Sequence, residues 1–375
     1  MADPRAAEEP SGALIRSPLY AAHVDLGART AAFGGWEMPL EYAGGGVLKE
    51  HAAVREAVGV FDVSHLGKIA VRGAGARSHV NACLTADLSR LAAGQAQYTL
   101  ACDDDSGGVV DDLIAYLFSD EEIFCIPNAA NAAEVARRLA ERAPAGVQVV
   151  DEHTDHAVLA VQGPRSDDTL VAVGLPAGHE YMSFRKAELE GSPVVVCRTG
   201  YTGERGYELV VPAQQAAVVW TALLSAGAPF GIRACGLAAR DTLRTEMGYP
   251  LHGQDVSLDV TPVQARLGWA VGWDKPAFWG REVLLAEKQA GPARTLRGLV
   301  AAGRGIARPG MRVLADDEVV GAVTSGTFSP TRRQAVALAL VDSAVTLDQS
   351  VHVDVRGRRE TFTVTKPPFV AAHVR

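Results

Sequence analysis

Residues 106–116 read SGGVVDDLIAY and place two neighbouring carboxylates, Asp111 and Asp112, inside a β-branched and aromatic run that is typical of a buried strand. Because strand side chains alternate between the two faces of a sheet, the two carboxylates must point to opposite sides. Buried carboxylates are rare unless they are paired or carry out a function. The alternative is a turn at the two glycines with solvated acids and a strand that starts at Leu113. The residues alone leave both interpretations open.

The length and composition predict a globular protein with more than one domain. A chain of 375 residues exceeds one ordinary core, and 48% hydrophobic and 21% charged residues are typical of globular proteins. The net charge of −8, without a dense run of Lys and Arg, argues against nucleic-acid binding through phosphate neutralisation. No apolar run approaches the ~20 residues that span a membrane. Residues 1–16, rich in Ala, Pro and Glu, are expected to form a disordered tail of a cytoplasmic protein.

The sequence predicts neither disulfides nor a metal site. The five cysteines are scattered and never form a C-x-x-C pair, so reduced thiols are expected. His153 and His156 lie between acidic residues, but no further ligand cluster accompanies them, which favours a solvated loop.

The order of the elements predicts two types of unit. From about Gly67 to residue 145 strands and helices alternate in a way that fits a split β-α-β-β-α-β arrangement. Residues 193–198 and 207–211 are expected to form a hairpin. After about Gly291, short strands divided by Gly, Pro and Asp indicate a small β barrel or sandwich.

Two further segments contain residues suited to ligand binding. Glu208 lies at the head of an apolar strand, where its carboxylate can accept two hydrogen bonds from a planar donor pair such as that of a pterin. The alternative is an ion pair with a neighbouring arginine. Arg240 and Arg244, one helical turn apart, suit a carboxylate ligand. Their alternative is a solvated helix face shared with Asp241 and Glu246.

Several motifs in order resemble the aminomethyltransferase (T-protein) family of the glycine cleavage system, from about residue 17 to residue 370. The motifs are PLY at 18–20, FGGWEMP at 33–39, GVFDVSH at 59–65, GGVVDDLI at 107–114, VQGP at 161–164, GYTGE at 200–204, GLAARD at 236–241, TSGTFSP at 324–330 and KPPFV at 366–370. Each motif alone is weak, but the ordered set is specific. Beyond residue 370 the chain departs from the family pattern.

The resemblance implies an α+β fold, a three-domain cloverleaf around a central folate-binding cavity, with a small C-terminal β-barrel domain. Residues 17–65 and 146–270 would form a discontinuous, folate-binding domain 1. Residues 66–145 would form a β/α domain 2, and residues 271–375 would form domain 3 with the barrel.

The activity implied by the resemblance is a one-carbon transfer. Tetrahydrofolate, as co-substrate, takes the methylene carbon from the aminomethyl group on the lipoyl arm of H-protein. The products are 5,10-methylenetetrahydrofolate, ammonia and dihydrolipoyl H-protein. The decarboxylase and the lipoamide dehydrogenase of the same system would be functionally linked partners. No enzyme nucleophile is required, in agreement with the lack of a nucleophile motif.

Carried over residue by residue, the resemblance makes Asp112 the catalytic carboxylate, which would stabilise an iminium-like centre and orient the folate. Asp111 would be structural. Glu208 would bind the pterin and Arg240 the glutamyl tail. Four softer candidates would line the cavity, namely Tyr98, Asn128, Tyr201 and Tyr249.

Two other functions fit parts of this pattern. A tetrahydrofolate-dependent demethylase would keep the folate residues but act on a small methylated substrate. A non-catalytic folate-binding protein of the same fold would need a Lys-Gly-Cys motif late in the chain, and no cysteine follows Cys235. The complete set of motifs favours the aminomethyltransferase.

Overall fold

The computed structural model describes residues 13–375. Its helices are α1 (Tyr20–Asp25), α2 (Gly46–Glu56), α3 (Ala76–Cys83), α4 (Ala132–Glu141), α5 (Ser166–Ala172), α6 (Ala216–Gly227), α7 (Leu237–Met247) and α8 (Arg281–Ala290). Its strands are β1 (Ile15–Arg16), β2 (Ala28–Phe33), β3 (Trp36–Tyr42), β4 (Val58–Asp62), β5 (Ile69–Arg72), β6 (Gln95–Cys102), β7 (Val109–Ser119), β8 (Glu122–Ile126), β9 (Gln148–Asp151), β10 (His156–Gln162), β11 (Phe184–Leu189), β12 (Ser192–Cys197), β13 (Gly206–Pro212), β14 (Ile232–Ala234), β15 (Arg294–Ala301), β16 (Arg312–Ala315), β17 (Glu318–Ser329), β18 (Gln334–Asp342), β19 (Ser350–Val355) and β20 (Arg358–Thr365).

The predicted disordered tail, residues 1–16, reaches too far into the chain. Residues 1–12 lie outside the described part of the structure. Ile15 and Arg16 form β1, which pairs in parallel with Trp36 and Glu37 of β3. This pairing satisfies backbone groups that a disordered segment would leave to water.

A six-stranded sheet joins segments from both sides of the middle unit. Its strand order is β11-β12-β13-β10-β4-β14, so that β4 pairs with β10 and with β14. All five residues of β4 are buried, as expected for a central strand whose VGVFD sequence is nearly continuous in apolar residues. Helix α6 packs against this sheet through Val219, Trp220 and Leu223. The predicted hairpin is confirmed, because β12 and β13 are antiparallel neighbours.

The middle unit is a five-stranded sheet with the order β6-β7-β8-β5-β9. Its last strand, β9, pairs with β5 although it follows the predicted boundary at residues 145 and 146. The predicted end of the middle unit at residue 145 is therefore placed before a strand that belongs to it. The turn at Pro144–Gly146 lies within the unit and leads the chain back to the edge of its sheet. The division into three domains is kept as a proposal.

The central strand of this sheet settles the choice left open for residues 106–116. Strand β7 begins at Val109, and Asp111 and Asp112 stand opposite Ala101 and Leu100 of β6. A strand that starts at Leu113 is thus wrong. At Gly108 a Cβ atom would lie 1.8 Å from the carbonyl oxygen of Leu258, so only glycine permits this close approach.

Strands β15–β20 close into a barrel with the order β15-β18-β17-β16-β19-β20. Alternate residues along the strands fill its interior, among them Leu299, Val323, Ala337, Val351 and Phe362. The expected mixed α and β architecture with a small C-terminal barrel is confirmed.

The two large sheets pack face to face over a shared core that contains Phe61, Tyr116, Phe124, Cys197 and Val210. On β7 the residues Asp112, Ile114 and Tyr116 share a face, and on β13 Glu208 shares a face with Val210. This packing brings the carboxylates of two different sheets to the same interface.

Candidate active site

Asp111 is fully buried on β7 and accepts three hydrogen bonds. The backbone N–H and the side-chain amide of Asn128 each donate to it at 2.9 Å, and the side-chain amide of Asn131 donates at 2.7 Å. Burial and the neighbouring Asp112 raise the pKa of Asp111 to about 8. These contacts tie the turn that precedes α4 to the strand, which is a structural role.

Asp112 has fewer partners and is only half-buried. The Tyr98 hydroxyl donates to one carboxylate oxygen at 2.9 Å, and the Asn128 amide lies 3.0 Å from the other. Burial raises the pKa of Asp112, while the hydrogen bond from Tyr98 and the charge of His252 oppose the rise. The result is a half-buried carboxylate with one hydrogen-bond partner on each oxygen.

Sequence reasoning missed two residues of this group, Asn131 and His252. The Asn131 amide donates to Nδ1 of His252 at 3.0 Å, and Nε2 of His252 lies 3.1 Å from the Val109 carbonyl oxygen. Asn131 follows Asn128 by one helical turn, a spacing that a search for partners of the Asp pair would have found. His252 comes from the segment after α7, and no local pattern connects it with β7.

Glu208 on β13 is 7% exposed and keeps spare acceptor capacity. Its Oε2 accepts a hydrogen bond from the Thr199 hydroxyl at 2.6 Å, and the Tyr116 hydroxyl lies 3.1 Å from the same Thr199 oxygen. The alternative of an ion pair with a neighbouring arginine is wrong, because Arg205 donates to Asp167 at 2.8 Å instead. The second carboxylate oxygen of Glu208 is therefore available to a ligand.

Arg240, in the first turn of α7, carries a guanidinium group with an unused donor. The guanidinium carbon lies 4.7 Å from the centre of the Tyr201 ring. Nη1 is buried and has no hydrogen-bond partner among residues 13–375. Burial lowers the pKa of Arg240, and the negative charge of Glu208 opposes this shift.

Arg244, one turn later, is saturated by carboxylates. It is 2% exposed, and its guanidinium nitrogens lie 2.7 Å from carboxylate oxygens of both Asp241 and Asp255. Both predictions for Arg244, a solvated side chain and a contact to a carboxylate ligand, are therefore wrong. It is a buried ion-pair centre.

Aromatic rings surround these polar groups. Tyr201 and Tyr249 stack with ring centres 5.7 Å apart, and the Tyr201 hydroxyl donates to the Pro250 carbonyl. Tyr98 stacks on Trp269 at 5.3 Å. Trp269 is 72% exposed and was missed by sequence reasoning, since a single tryptophan in a loop gives no signal.

A cavity of about 330 Å³ is lined by residues that include Tyr98, Tyr181, Met182 and Trp269, and of the predicted site residues only Tyr98 lines it. The structure thus places the predicted residues in two neighbouring groups. Asp112, Tyr98 and Asn128 form one group. The other consists of Glu208, Arg240, Tyr201 and Tyr249. Burial raises the pKa of Tyr201; the charge of Arg244 opposes this rise, and the charge of Asp112 adds to it.

Residues 13–375 contain no cluster of three or more His, Cys, Asp or Glu side chains placed to hold a metal ion. All five cysteines are buried free thiols. No helix in the described part of the chain is long and apolar enough to cross a membrane.

Comparison with known proteins identifies the family. Residues 19–275 match the GCVT N-terminal domain, and residues 294–371 match the glycine cleavage T-protein C-terminal barrel domain. The chain belongs to the aminomethyltransferase family of the glycine cleavage system.

Individual members of the family are similar over nearly the whole chain. Aminomethyltransferase from Parafrankia sp. is 64% identical over 97% of this chain and 100% of its own length. The one from Mycobacterium tuberculosis is 57% identical over 96% of this chain and 98% of its own. The crystal structure of aminomethyltransferase T from Bartonella henselae superposes with a TM-score of 0.90 at 35% identity, covering 96% of this chain and 99% of that one.

These similarities confirm the family and the mixed α and β fold with a C-terminal barrel expected from the motifs. The protein is a one-carbon transferase, an aminomethyltransferase of the glycine cleavage system. Membership of a multi-protein system implies partner proteins.

Proposed function

We propose that this aminomethyltransferase transfers the methylene carbon of an aminomethyl group, carried on the lipoyl arm of H-protein, to tetrahydrofolate. One observation carries the proposal. Glu208 and Arg240 both keep unused hydrogen-bonding capacity in the interior, next to a half-buried carboxylate, Asp112. Buried polar groups without partners are rare in native proteins, and a polar ligand explains them.

The residues present fit a reduced folate. The free carboxylate oxygen of Glu208 suits the adjacent N–H and amino donors of a pterin ring. The unpartnered Nη1 of Arg240 suits an anionic acceptor, and we retain the glutamyl carboxylate as its ligand. Tyr98, Tyr201 and Tyr249 offer ring faces for a flat conjugated ligand, and Asn128 orients the carboxylate.

Asp112 is the residue that we propose as catalytic. Positive charge develops on the transferred carbon as ammonia leaves, and a preorganised carboxylate in a partly dry site stabilises such charge more strongly than water does. Tyr98 and Asn128 hold the Asp112 carboxylate in place before the reaction starts. The remaining contribution of the protein is to position the two substrates and exclude water.

The proposed partners are lipoylated H-protein and, through the shared cycle, the decarboxylase and the lipoamide dehydrogenase of the system. A cytosolic location stays a prediction from composition.

The first experiment tests the catalytic role of Asp112. We expect Asp112→Asn to lower methylenetetrahydrofolate formation by about 10²–10³-fold, because the developing charge loses its counter-charge. Tetrahydrofolate affinity, measured by fluorescence quenching, is expected to change by less than about threefold, because Glu208 and Arg240 remain. The matched control is Asp120→Asn, in the exposed turn between β7 and β8, which should leave both quantities unchanged. Near-normal turnover of Asp112→Asn would contradict the role.

A second assay separates the aminomethyltransferase from the demethylase. Ammonia release is measured with aminomethylated H-protein, with and without tetrahydrofolate. Dependence on both substrates supports the proposal. Turnover of a small methylated amine without H-protein would favour the demethylase.

A further inference from the structure

A group of cationic residues lies on the face of the six-stranded sheet opposite to Glu208. In the strand register Arg185 stands opposite Val196, and Val196 stands opposite Leu209. Arg198 follows Val196 by two residues, and Tyr207 precedes Leu209 by two, so these side chains share one face. Glu208 lies between Tyr207 and Leu209 and faces the other way. The group is thus separate from the active site.

Arg198 is a buried cation whose charge is not neutralised by an ion pair. It is 2% exposed, and no carboxylate oxygen among residues 13–375 lies within 4.0 Å of its nitrogens. Its Nε has no hydrogen-bond partner there. Its guanidinium carbon lies 5.4 Å from the centre of the Tyr207 ring, which provides some cation–π stabilisation.

His179 adds unused polar atoms to the same group. Both ring nitrogens are buried and lack a partner with ordinary hydrogen-bond geometry in the described part of the chain. Its ring centre lies 5.4 Å from that of Tyr207. Burial lowers the pKa of His179, and the positive charges of Arg185 and Arg198 lower it further, whereas the Val196 backbone and Asp167 oppose the shift.

The nearby acid, Asp167, is already occupied. It accepts hydrogen bonds from Nε of Arg205 at 2.8 Å and from the Tyr207 hydroxyl at 2.6 Å. Because Asp167 also compensates Arg205, the cluster retains an excess of positive charge. A buried charge without a partner destabilises the fold, so an anion supplied from outside would be favourable here.

We propose that Arg198, His179 and Arg185 form an oxyanion-binding site on the back of the six-stranded sheet. The ligand class is a phosphate or carboxylate group, whose two oxygens match the fork of donors on a guanidinium group. Arg198 would be the main contact, and the exposed Arg185 would attract the anion at the entrance.

The oxyanion has two possible sources. One is a free anion such as inorganic phosphate. The other is a carboxylate of an extended glutamyl chain on the folate, because Tyr181, two residues after His179, lines the same cavity as Tyr98, which donates a hydrogen bond to Asp112. Only this second source depends on the proposed function.

The experiment measures phosphate binding to the full-length protein. Histidine-labelled protein is titrated with sodium phosphate at constant ionic strength, with sodium chloride as the reference. The His179 resonance is assigned by its loss in His179→Gln. We expect a saturable shift of this resonance, with the affinity about tenfold lower in Arg198→Met and a few-fold lower in Arg185→Gln. Arg165→Gln, an exposed arginine already paired with Asp168, is the matched control and should bind like the unmodified chain.

The outcomes decide the proposal even if Arg198→Met does not fold, because Arg185 is exposed and its variant should fold normally. A shift that stays linear in phosphate, or equal affinity in the unmodified chain and Arg185→Gln, would overturn the site. Displacement of phosphate by tetrahydrofolate with three glutamyl residues, but not with one, would identify the glutamyl chain as the source. Phosphate binding without displacement would identify a free anion. If folate did not bind at all, the proposed function would fail while the phosphate result would stand.

Discussion

Strand β7 and helix α7 each carry one charged-type residue that is saturated with partners and one that is available to a ligand. Each carries two residues of the same type close in sequence, Asp111 and Asp112 on the strand and Arg240 and Arg244 on the helix. In each pair one residue is saturated with partners and the other keeps free capacity for a ligand. The saturated members hold the fold together, and the others carry the candidate function.

Strand β7 and helix α7 differ in why one residue of each pair is saturated with partners and the other is not. On β7 the alternation of side chains sends adjacent carboxylates to different environments, so the separation is built into the local geometry. On α7 residues four apart lie on the same side of the helix, and periodicity does not distinguish them. There the difference arises from Asp255, which reaches Arg244 from the segment after the helix. Two arginines on the same side of a helix can therefore have different roles, one in an ion pair and one with a donor free for a ligand.

The largest stability effect is expected at the saturated arginine. Arg244→Met should lower the free energy of unfolding by about 3–5 kcal/mol, because it leaves the buried Asp255 without its cation. Urea denaturation followed by circular dichroism measures the change. Arg233→Met, on a side chain exposed at the sheet edge, is the control. A loss as small as that of the control would remove the distinction between the two arginines.

The free arginine should show the reverse behaviour. Arg240→Met is expected to change the free energy of unfolding by less than about 1 kcal/mol, since no ion pair is broken. Tetrahydrofolate affinity should fall about tenfold or more, because a charged hydrogen bond to the ligand is lost. Isothermal titration calorimetry measures the affinity, and Arg240→Lys tests whether charge alone suffices. Unchanged affinity in Arg240→Met would show that the buried Nη1 serves no ligand.

A further effect concerns the pH dependence of stability. Because the pKa of Asp111 is raised to about 8 in the folded protein, the folded state holds a proton that the unfolded state releases near pH 4. Its contribution to stability is complete below about pH 4 and is lost as the pH rises through about 8.

The variant Asp111→Asn removes this titration. We expect it to cost about 1–2 kcal/mol at pH 5, because an amide replaces the protonated acid, and we expect the cost to vanish or change sign by pH 8, where the unmodified protein has lost the contribution of Asp111. Unfolding curves of both proteins at several pH values give the difference, in which the other titrating groups cancel. A difference that does not vary with pH would contradict the raised pKa.

The sequence indicated most of the elements near the site. The strand with the Asp pair, the hairpin that carries Glu208, the arginine helix and the C-terminal barrel all have local signals, namely periodicity, turn residues and ordered motifs. The partners of these residues have none. Asn131, His252 and Trp269 come from other parts of the chain, and the pairing of β9 with β5 crosses a predicted boundary.

By itself the sequence determined the family and the lack of a nucleophile motif, because these depend on the order and spacing of neighbouring residues. The two faces of β7 follow from the sequence only once the structure has shown that the Asp pair lies in a strand. Only the tertiary structure decided which charged groups are neutralised and which are not. Hydrogen bonds and ion pairs act over a few ångströms, and the atoms that come that close belong to residues far apart in the chain. The unused donors and acceptors of Glu208, Arg240 and Arg198 are visible only after the sheets have packed.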